Sequence, residues 1–199
     1  MSAKRLIADI LQRNNFLLSE EQIDSFSLYM QELKRWNKVH NLTAIEEDRE
    51  IIVRHFLDSL TVSLCLESKG VNVDGLSFCD VGSGAGFPGV PLKIYYGDRI
   101  QLTLVEAVAK KCAFLEYIKV KLRLSYKVIC QQAQRVHQKF DVVVARALGE
   151  TSEVLPLLQS FSNGWVLVMR GSQPLEGYDH CRIELPDVKS YILFLAKTK

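Results

Sequence analysis

The stretch of sequence that decides the fold is DVGSGAGFPG, residues 80–89, which directly follows an apolar run. Three alternating glycines, Gly82, Gly84 and Gly86, let a backbone turn tightly and approach a ligand closely. Read from Gly82 the pattern is GxGxG, whereas from Gly84 the same letters give GxGxxG, the nominal fingerprint of a dinucleotide site. The stretch therefore predicts a strand that ends in a ligand-binding loop, with two candidate classes of ligand.

On either side of this loop, short β-branched runs alternate with helical stretches, which is typical of an α/β protein. The predicted strands are Leu76–Val81, Gln101–Val105, Tyr126–Cys130, Phe140–Ala145, Gly164–Met169 and Tyr191–Leu195, and the predicted helices are Val90–Tyr96, Lys110–Leu122 and Ser152–Gln159. Near-continuous apolar strands separated by helices indicate a mostly parallel, Rossmann-like sheet covered on both faces. Since such sheets bind ligands at the carboxyl ends of their strands, the loops after the first four strands should line one crevice.

The first 70 residues show helical rather than alternating helix and strand patterns. They predict a helical extension packed on an α/β domain of residues 71–199. Apolar residues recur at helical spacing within residues 3–13. Ser19 opens a capping-box signature for a second helix, and the helical pattern returns from Glu46 to Leu66. We expect the whole chain to form a single compact unit.

Composition and charge place the chain among ordinary globular proteins, with 48% hydrophobic residues and a net charge of +2. No apolar run reaches the roughly 18–20 residues that span a bilayer, so we expect a cytoplasmic protein without a membrane partner. Residues 107–146 carry nine Lys and Arg against Glu116 and Asp141, a net +7. This run indicates either a basic patch for an anionic macromolecule or a solvated helix face.

The five cysteines contain no CxxC pair and are odd in number, which argues against a disulfide framework and gives no zinc site. Cys79 and Cys130 lie within apolar runs, so the sequence predicts buried free thiols at these positions.

Residues around the glycine loop favour one ligand. Glu106 follows the second strand and is placed to accept hydrogen bonds from both hydroxyls of a ribose, which suits NAD and S-adenosylmethionine equally. In the dinucleotide register Gly82 is unexplained, and Pro88 and Pro91 remove two amides that a pyrophosphate would use. In the GxGxG register Asp80 repels phosphate but suits a ligand that carries an ammonium and a sulfonium. The loop therefore favours S-adenosylmethionine over NAD.

Further motifs extend the pattern beyond the glycine loop. They are Trp36-Asn37-Lys38 with Asn41-Leu42-Thr43, then Arg54-His55-Phe56-Leu57-Asp58-Ser59, then DVGSGAGFPGVPLKI, and Ala145-Arg146-Ala147 after the fourth strand. In this order and at these intervals the chain resembles the bacterial 16S ribosomal RNA guanine-N7 methyltransferases, the glucose-inhibited division protein B family. The resemblance covers residues 20–171.

The resemblance implies a class I S-adenosylmethionine-dependent methyltransferase fold and methylation of N7 of one guanine in the decoding-region loop of the small-subunit RNA. It implies action on assembled or nearly assembled subunits, and we expect the protein to be a monomer. Positions that match the family's cofactor residues are Gly82, Phe87, the Ala133-Gln134 pair and Arg146. The chain departs from the family in carrying Gln134 where Glu is common, Arg170 where Lys is more frequent, and a short sequence after Gly171.

The chemistry of N7 agrees with this assignment, since guanine N7 exposes a lone pair and loses no proton on methylation. The loop after the fourth strand reads ARALGE and lacks the Pro-Cys pair of cytosine-C5 enzymes and the Asn/Asp-Pro-Pro-aromatic motif of adenine-N6 enzymes. An N7 enzyme needs positioning more than a general base. Two alternatives stay open: a methyltransferase for another RNA or a small molecule, and a non-catalytic assembly factor that binds the donor.

Several residues keep two possible roles. Arg146, His55 and Asp58 are the catalytic candidates, yet His55 and Asp58 also stand three apart on one helix face and could form a helix-packing hydrogen bond. Trp36 lies on an apolar stripe, which favours a core position over base stacking. The RNA-binding candidates are Lys110, Lys111, Arg54 and Asn41, of which Asn41 could instead cap a turn.

Overall fold

The computed structural model describes residues 2–147, 149–171 and 173–196. Its centre is one seven-stranded sheet. The strands are β1 Ser77–Val81, β2 Gln101–Glu106, β3 Tyr126–Cys130, β4 Phe140–Arg146, β5 Ser162–Gly171, β6 His180–Glu184 and β7 Lys189–Ala196.

The strand order is β3-β2-β1-β4-β5-β7-β6. Strands β1 to β5 are parallel, whereas β7 runs antiparallel to both β5 and β6. The chain moves outward from β1 to β2 and β3, then returns to the other side of β1 as β4. This reversal opens a crevice at the carboxyl ends of β1 and β4, where sheets of this kind bind ligands.

Seven helices surround the sheet in the described part of the chain. They are α1 Ala3–Arg13, α2 Glu20–His40, α3 Asp48–Ile51, α4 Asp58–Ser68, α5 Gly89–Tyr96, α6 Ala109–Lys121 and α7 Thr151–Phe161, with a π-helical segment at Ile52–Leu57 and 3-10 turns at Gly97–Arg99 and Ala133–Arg135. The stretch predicted as one helix from residue 46 to 66 is thus α3, the π segment and α4 in succession. Periodicity cannot reveal the π segment, because it inserts a single wider turn into an otherwise helical pattern.

Helix α2 begins and ends where its polar residues dictate. The Ser19 hydroxyl oxygen accepts a hydrogen bond from the Gln22 amide, and Gln22 Oε1 accepts one from the Ser19 amide, so the predicted capping box is confirmed. Asn41 ends the helix in the left-handed conformation, with φ of 49°, and its amide donates to the Asn37 carbonyl. Asparagine tolerates this conformation better than most residues, which explains its position at the helix end.

The two faces of the sheet are covered by different helices. Alternate residues of β1 and β4 point to opposite sides, so that Phe78 and Val142 meet helices α1 to α6, while Cys79 and Val143 meet α7. The N-terminal helices therefore share one continuous core with the sheet. Each fully buried large apolar side chain in that core contributes about 1.5–3 kcal/mol to stability.

The C-terminal edge contains a strand that the sequence analysis missed. Strand β6 alternates buried and exposed residues over HCRIE, and its polar letters give no apolar run. It pairs with β7 at the edge of the sheet, where exposed charged side chains are tolerated. Residues 173–179 contain no helix.

The expectation that the chain has no disulfide framework is wrong, and so is the prediction of a buried free thiol at Cys130. Cys65 is bonded to Cys181 and Cys112 to Cys130, with Cα atoms 5.4 and 5.8 Å apart, and Cys130 is exposed rather than buried. Cys79 remains a buried free thiol. The partners lie 116 and 18 residues apart, so only the folded topology brings them together.

Candidate active site

The glycine loop follows β1 and is pinned to β2 by its first amides. The Gly82 and Ser83 amides donate to the Val105 carbonyl at 2.9 and 3.1 Å. Gly82, Gly84 and Gly86 all have positive φ, at 72°, 60° and 102°. A Cβ on Gly86 would lie 2.7 Å from the Tyr29 hydroxyl, whereas a Cβ on Gly84 would have only the Gly82 carbonyl oxygen nearby, at 4.0 Å. The lack of a side chain at Gly86 thus allows Tyr29 to pack against the loop, and the lack of one at Gly84 leaves space on the side of the loop where a ligand is expected.

Glu106 joins the loop after β1 to the loop after β2. One carboxylate oxygen, Oε2, accepts from the Gly84 amide at 2.7 Å. The other, Oε1, accepts from the Ala107 and Val108 amides at 2.9 and 2.8 Å. Since each oxygen can accept two hydrogen bonds, Oε2 keeps an acceptor position for a ligand. The predicted adenosine-binding carboxylate is therefore buried, held in place and still able to accept a hydrogen bond.

Asp80 is fully buried beneath the same loop. Its Oδ2 accepts from the Gly89 amide at 2.8 Å, while Oδ1 has no hydrogen-bond partner among the described residues. Burial raises the pKa of Asp80 to about 7, against the lowering effect of the Gly89 amide and Arg146. A cationic ligand at the loop would favour the ionised carboxylate. The orphaned oxygen, the acceptor position on Glu106 and the opening at Gly84 fit S-adenosylmethionine.

Arg146 ends β4 and binds the helix that carries His55 and Asp58. Its Nη1 donates to the Arg54 carbonyl at 2.8 Å and to Asp58 Oδ2 at 3.3 Å, and its Nη2 lies 3.2 Å from His55 Nδ1. The guanidinium carbon also stands 5.3 Å from the centre of the Phe87 ring. The three catalytic candidates therefore form one cluster beside the glycine loop.

The contacts of His55 fix its protonation state. The Arg146 guanidinium can only donate hydrogen bonds, so His55 Nδ1 must be the acceptor in their contact. The proton of the neutral His55 ring therefore lies on Nε2, which donates to Thr43 Oγ1 at 2.9 Å. Burial and Arg146 lower the pKa of His55 to about 3. Burial raises the pKa of Asp58, although Arg146 opposes that shift. At neutral pH His55 is a neutral side chain with both nitrogens engaged.

The N-terminal motif supports this cluster from behind. Asn37 is buried and its Oδ1 accepts from the Thr43 amide at 2.8 Å, which holds Thr43 against His55. Trp36 is partly buried and packs against the core through Phe114 and Tyr117, which favours the predicted core role over base stacking. Asn37 and Thr43 of the motif therefore position His55, whereas Lys38 and Asn41 are exposed.

Tyr29 is a site residue that the sequence analysis missed. Its hydroxyl donates to the Ala85 carbonyl at 2.6 Å, and its ring stacks against Phe56 and Phe87. Helix α2 thereby holds the glycine loop from the core side. Tyr29 sits on an ordinary apolar helical stripe, and no spacing in the sequence distinguishes it from a core tyrosine.

The remaining predicted residues lie around the carboxyl edge of the sheet. Ala133 and Gln134 form a short turn after β3, with Ala133 packed on the α7 side and Gln134 exposed. Lys110 and Lys111 begin α6, and neither forms an ion pair with the residues that the structure describes. Arg54 is exposed and pairs with Glu50 at 2.9 Å.

The basic residues of the segment 107–146 do not form one surface patch, so the expectation of a single patch is wrong. Lys127 and Lys139 lie at the amino-terminal ends of β3 and β4, opposite the crevice. Arg146 turns into the site, with 19% of its side chain exposed. Lys110 and Lys111 lie at the carboxyl edge. Adjacent parallel elements place residues that are close in sequence at opposite ends of the sheet, which a count of charges cannot show.

No helix within residues 2–147, 149–171 and 173–196 is long and apolar enough to cross a membrane. The same residues contain no group of three or more His, Cys, Asp and Glu side chains arranged to hold a metal ion.

This strand order, with an antiparallel β7 between β5 and β6, departs from the all-parallel order of dinucleotide-binding folds. It defines, with the glycine loop and Glu106, a class I S-adenosylmethionine-dependent methyltransferase. The magnesium protoporphyrin IX methyltransferase of Synechocystis PCC 6803 with bound S-adenosylmethionine has a similar fold, with a TM-score of 0.62, 17% identity, and coverage of 92% of this chain and 99% of that one. An S-adenosylmethionine-dependent methyltransferase from Aquifex aeolicus is also similar, with a TM-score of 0.56, 14% identity, and coverage of 81% and 97%.

The sequence comparisons then give the family. Residues 22–190 match the family model described as rRNA small subunit methyltransferase G. A protein of that name from Aquifex aeolicus is 53% identical over 194 residues, 95% of this chain and 98% of the relative. Another from Oceanobacillus iheyensis is 34% identical over 177 residues, 83% of this chain and 71% of the relative. The chain belongs to the rRNA small subunit methyltransferase G family, which confirms the resemblance inferred from its motifs.

Proposed function

We propose that this protein transfers the methyl group of S-adenosylmethionine to N7 of one guanine in the decoding-region loop of 16S ribosomal RNA. Membership of the small-subunit rRNA methyltransferase family supports the RNA substrate. The observation that carries the choice of N7 is the state of the cluster beside the donor crevice. His55 is neutral with both ring nitrogens engaged and Asp58 is paired with Arg146, so neither side chain is free to remove a proton.

The donor would be held by the loops at the carboxyl ends of β1, β2 and β3. In this proposal Glu106 accepts from its ribose hydroxyls, Ala133 and Gln134 contact its adenine, and the glycine loop with Asp80 holds its cationic methionyl part. The free acceptor position on Glu106 and the orphaned oxygen of Asp80 support these roles. When bound, the donor supplies an electrophilic methyl group on its sulfonium.

The chain's own contribution is orientation and exclusion of water. The guanine N7 lone pair attacks without losing a proton, so the barrier depends on holding the base in line with the methyl group. Arg146 fixes the relation between the strand that ends at the crevice and the helix that carries His55. We therefore propose positioning roles for Arg146, His55 and Asp58.

The RNA would approach across the exposed residues at the crevice edge. Lys110 and Lys111 supply positive charge at the start of α6, and Arg54 and Asn41 are exposed on the N-terminal helices. Lysines that contact phosphates release counterions, which makes binding depend on salt. The double charge reversal Lys110→Glu/Lys111→Glu should weaken RNA binding by at least tenfold at low salt and flatten its salt dependence.

The matched control for that variant is Lys127→Glu/Lys139→Glu, which makes the same charge change at the opposite end of the sheet. Filter binding to small subunits over a range of salt concentrations measures both pairs. Equal losses of affinity in the two variants would mean that only net charge matters. Unchanged affinity in the Lys110→Glu/Lys111→Glu variant would show that these two lysines form a solvated helix face and do not contact RNA.

A methyl transfer assay tests the function itself. Small subunits, their protein-free RNA and large subunits are each incubated with the enzyme and a methyl-labelled donor, and the RNA is then cleaved chemically at 7-methylguanine. We expect label and one cleavage site in the small-subunit samples, with the assembled subunit preferred. Label in large subunits or in a small molecule would support the alternative methyltransferase, and donor binding without transfer would support a non-catalytic assembly factor. We further propose that the enzyme acts as a monomer in the cytoplasm, where its substrate is found.

A further inference from the structure

The bond between Cys112 and Cys130 lies beside the proposed donor site. Cys130 is the last residue of β3 and is the register partner of Glu106 at the end of β2. Cys112 lies in the first turn of α6, with its Sγ 3.3 Å from the Glu106 carbonyl. The disulfide therefore passes next to the backbone of Glu106, the residue whose carboxylate accepts from the Gly84, Ala107 and Val108 amides.

The same bond connects the two loops that would hold the adenosine. The loop from Glu106 to Val108 leads directly into α6, and the turn at Ala133–Arg135 follows Cys130 closely. A covalent link between α6 and the end of β3 limits how far these two loops can move apart. A site whose loops are already ordered binds its ligand more tightly, because less ordering remains to be done on binding.

The two disulfides differ in access to solvent. Cys65 and Cys181 are both buried, and they join α4 to β6 at the C-terminal edge. Cys130 is exposed, while Cys112 is buried at the start of a helix. The Cys112–Cys130 bond is therefore the more accessible of the two, and we expect a reductant to attack it at the exposed residue Cys130. The helix start favours the thiolate that Cys112 becomes on departure.

We propose that the Cys112–Cys130 disulfide is a positioning element of the donor site and that its reduction weakens donor binding. A dithiol reductant attacks Cys130 Sγ as a thiolate and expels the Cys112 thiolate. Its second thiolate then attacks the mixed disulfide and releases the Cys130 thiolate. Two electrons pass to the protein, both cysteines take up a proton, and the reductant leaves as a disulfide. The inference rests on the proposed donor site.

Calorimetric titration of the full chain with S-adenosylhomocysteine and S-adenosylmethionine tests the proposal, with oxidised and dithiothreitol-reduced wild-type protein compared. Mass spectrometry after thiol alkylation reports which bonds are present. We expect the reduced protein to bind about three- to tenfold more weakly, which is the scale for ordering a short loop. Reoxidation should restore the affinity.

Two double variants separate the disulfides. Cys112→Ser/Cys130→Ser should bind as weakly as the reduced wild type and ignore reductant, while Cys65→Ser/Cys181→Ser should keep the redox response and melt at a lower temperature. Equal affinity in the two wild-type states, or a redox response that survives in Cys112→Ser/Cys130→Ser, would overturn the proposal. Absence of donor binding in both states would overturn the donor site as well, and methyl transfer without redox dependence would overturn this inference alone.

Discussion

At the scale of single residues, glycines of one motif have different tasks. Gly86 has no room for a side chain because Tyr29 and Val90 fill the space, whereas Gly84 faces open space where the donor is expected. The sequence predicted that these glycines form a ligand loop. It could not show which one faces the core, because that depends on what the N-terminal helices place behind the loop.

We predict that Gly84→Val abolishes donor binding while the protein stays folded, because the new side chain enters the ligand side of the loop. The positive φ costs about 1–2 kcal/mol for a residue with a Cβ. Gly97→Val is a matched control, since Gly97 has the same φ of 60° and open space but precedes β2 at the other end of the sheet. Calorimetry should detect donor binding only in the control, and similar binding in both would exclude Gly84 from the site.

His55 gives a prediction about pH. Its folded pKa of about 3 lies below the unfolded value near 6.5, so below pH 6.5 the unfolded chain takes up a proton that the folded chain refuses. Relative to His55→Gln, the wild type should therefore lose about 1.4 kcal/mol of unfolding free energy per pH unit as the pH falls from about 6 towards 4.

Urea denaturation of both proteins across this pH range measures the difference in unfolding free energy between wild type and variant. Titrating groups that the two proteins share contribute equally to both values and cancel in this difference. Asp80 is one such group: its raised pKa stabilises the fold as the pH falls from about 7. A wild-type minus variant difference that does not change with pH would show that His55 titrates normally in the folded protein.

At the scale of elements, apolar periodicity predicted most of the sheet and its helices to within a few residues at their ends. Two elements were not predicted from the sequence, strand β6 and the π-helical segment. Strand β6 lies at an edge and alternates polar with apolar residues over only five positions, and the π segment has the composition of an ordinary helix. Strand β6 is set by its pairing with β7, and the π segment carries His55, which contacts Arg146 across the site.

The contact between α2 and the glycine loop gives the prediction at this scale. Tyr29→Phe keeps the ring stacking but removes the hydrogen bond to the Ala85 carbonyl, so unfolding free energy should fall by about 1 kcal/mol and donor affinity should fall severalfold. Tyr126→Phe is the control, since the buried Tyr126 hydroxyl donates to the Leu115 carbonyl at 2.6 Å, away from the loop.

The control should lose similar stability and keep its donor affinity. Thermal melts and calorimetry on the two variants separate the effects. If both variants bound the donor equally well, α2 would have no part in shaping the glycine loop.

At the scale of the whole molecule, the C-terminal hairpin is tied to the N-terminal helices. Asp187 accepts hydrogen bonds from Arg13 Nε at 2.5 Å, Asn14 Nδ2 at 2.6 Å and Arg49 Nη2 at 2.8 Å. Burial acts to raise the pKa of Asp187, but these hydrogen bonds hold it below its ordinary value. The stabilisation is therefore present above pH 4 and is lost as the pH falls through the lowered pKa.

Asp187→Asn should lower the unfolding free energy by about 1–3 kcal/mol at pH 7, because hydrogen bonds to charged groups are among the stronger ones. Glu184→Gln is the control, since Glu184 pairs with Arg182 on an exposed strand and such pairs contribute little. Chemical denaturation compares the two. Equal losses of unfolding free energy in the two variants would mean that the Asp187 hydrogen bonds stabilise the protein no more than an ordinary surface ion pair does.

The overall architecture was predictable because it depends on strand and helix order, which periodicity records. The site was predictable only in part. Asp80, Glu106 and Arg146 lie at the carboxyl ends of β1, β2 and β4, so the topology of a parallel sheet brings them together. The disulfides, the Tyr29 contact and the division of the basic residues depend on distances between elements far apart in sequence, and no local pattern encodes them.

The central claim is methylation of guanine N7 in small-subunit RNA. The most direct measurement uses a donor with a trideuterated methyl group and small subunits from cells that lack the enzyme. One part of the RNA is digested to nucleosides and another to oligonucleotides, and both are analysed by mass spectrometry. The account predicts trideuterated 7-methylguanosine, in one oligonucleotide from the decoding region. Deuterated methyl on a pyrimidine, on adenine or on protein, with none on guanine N7, would contradict it.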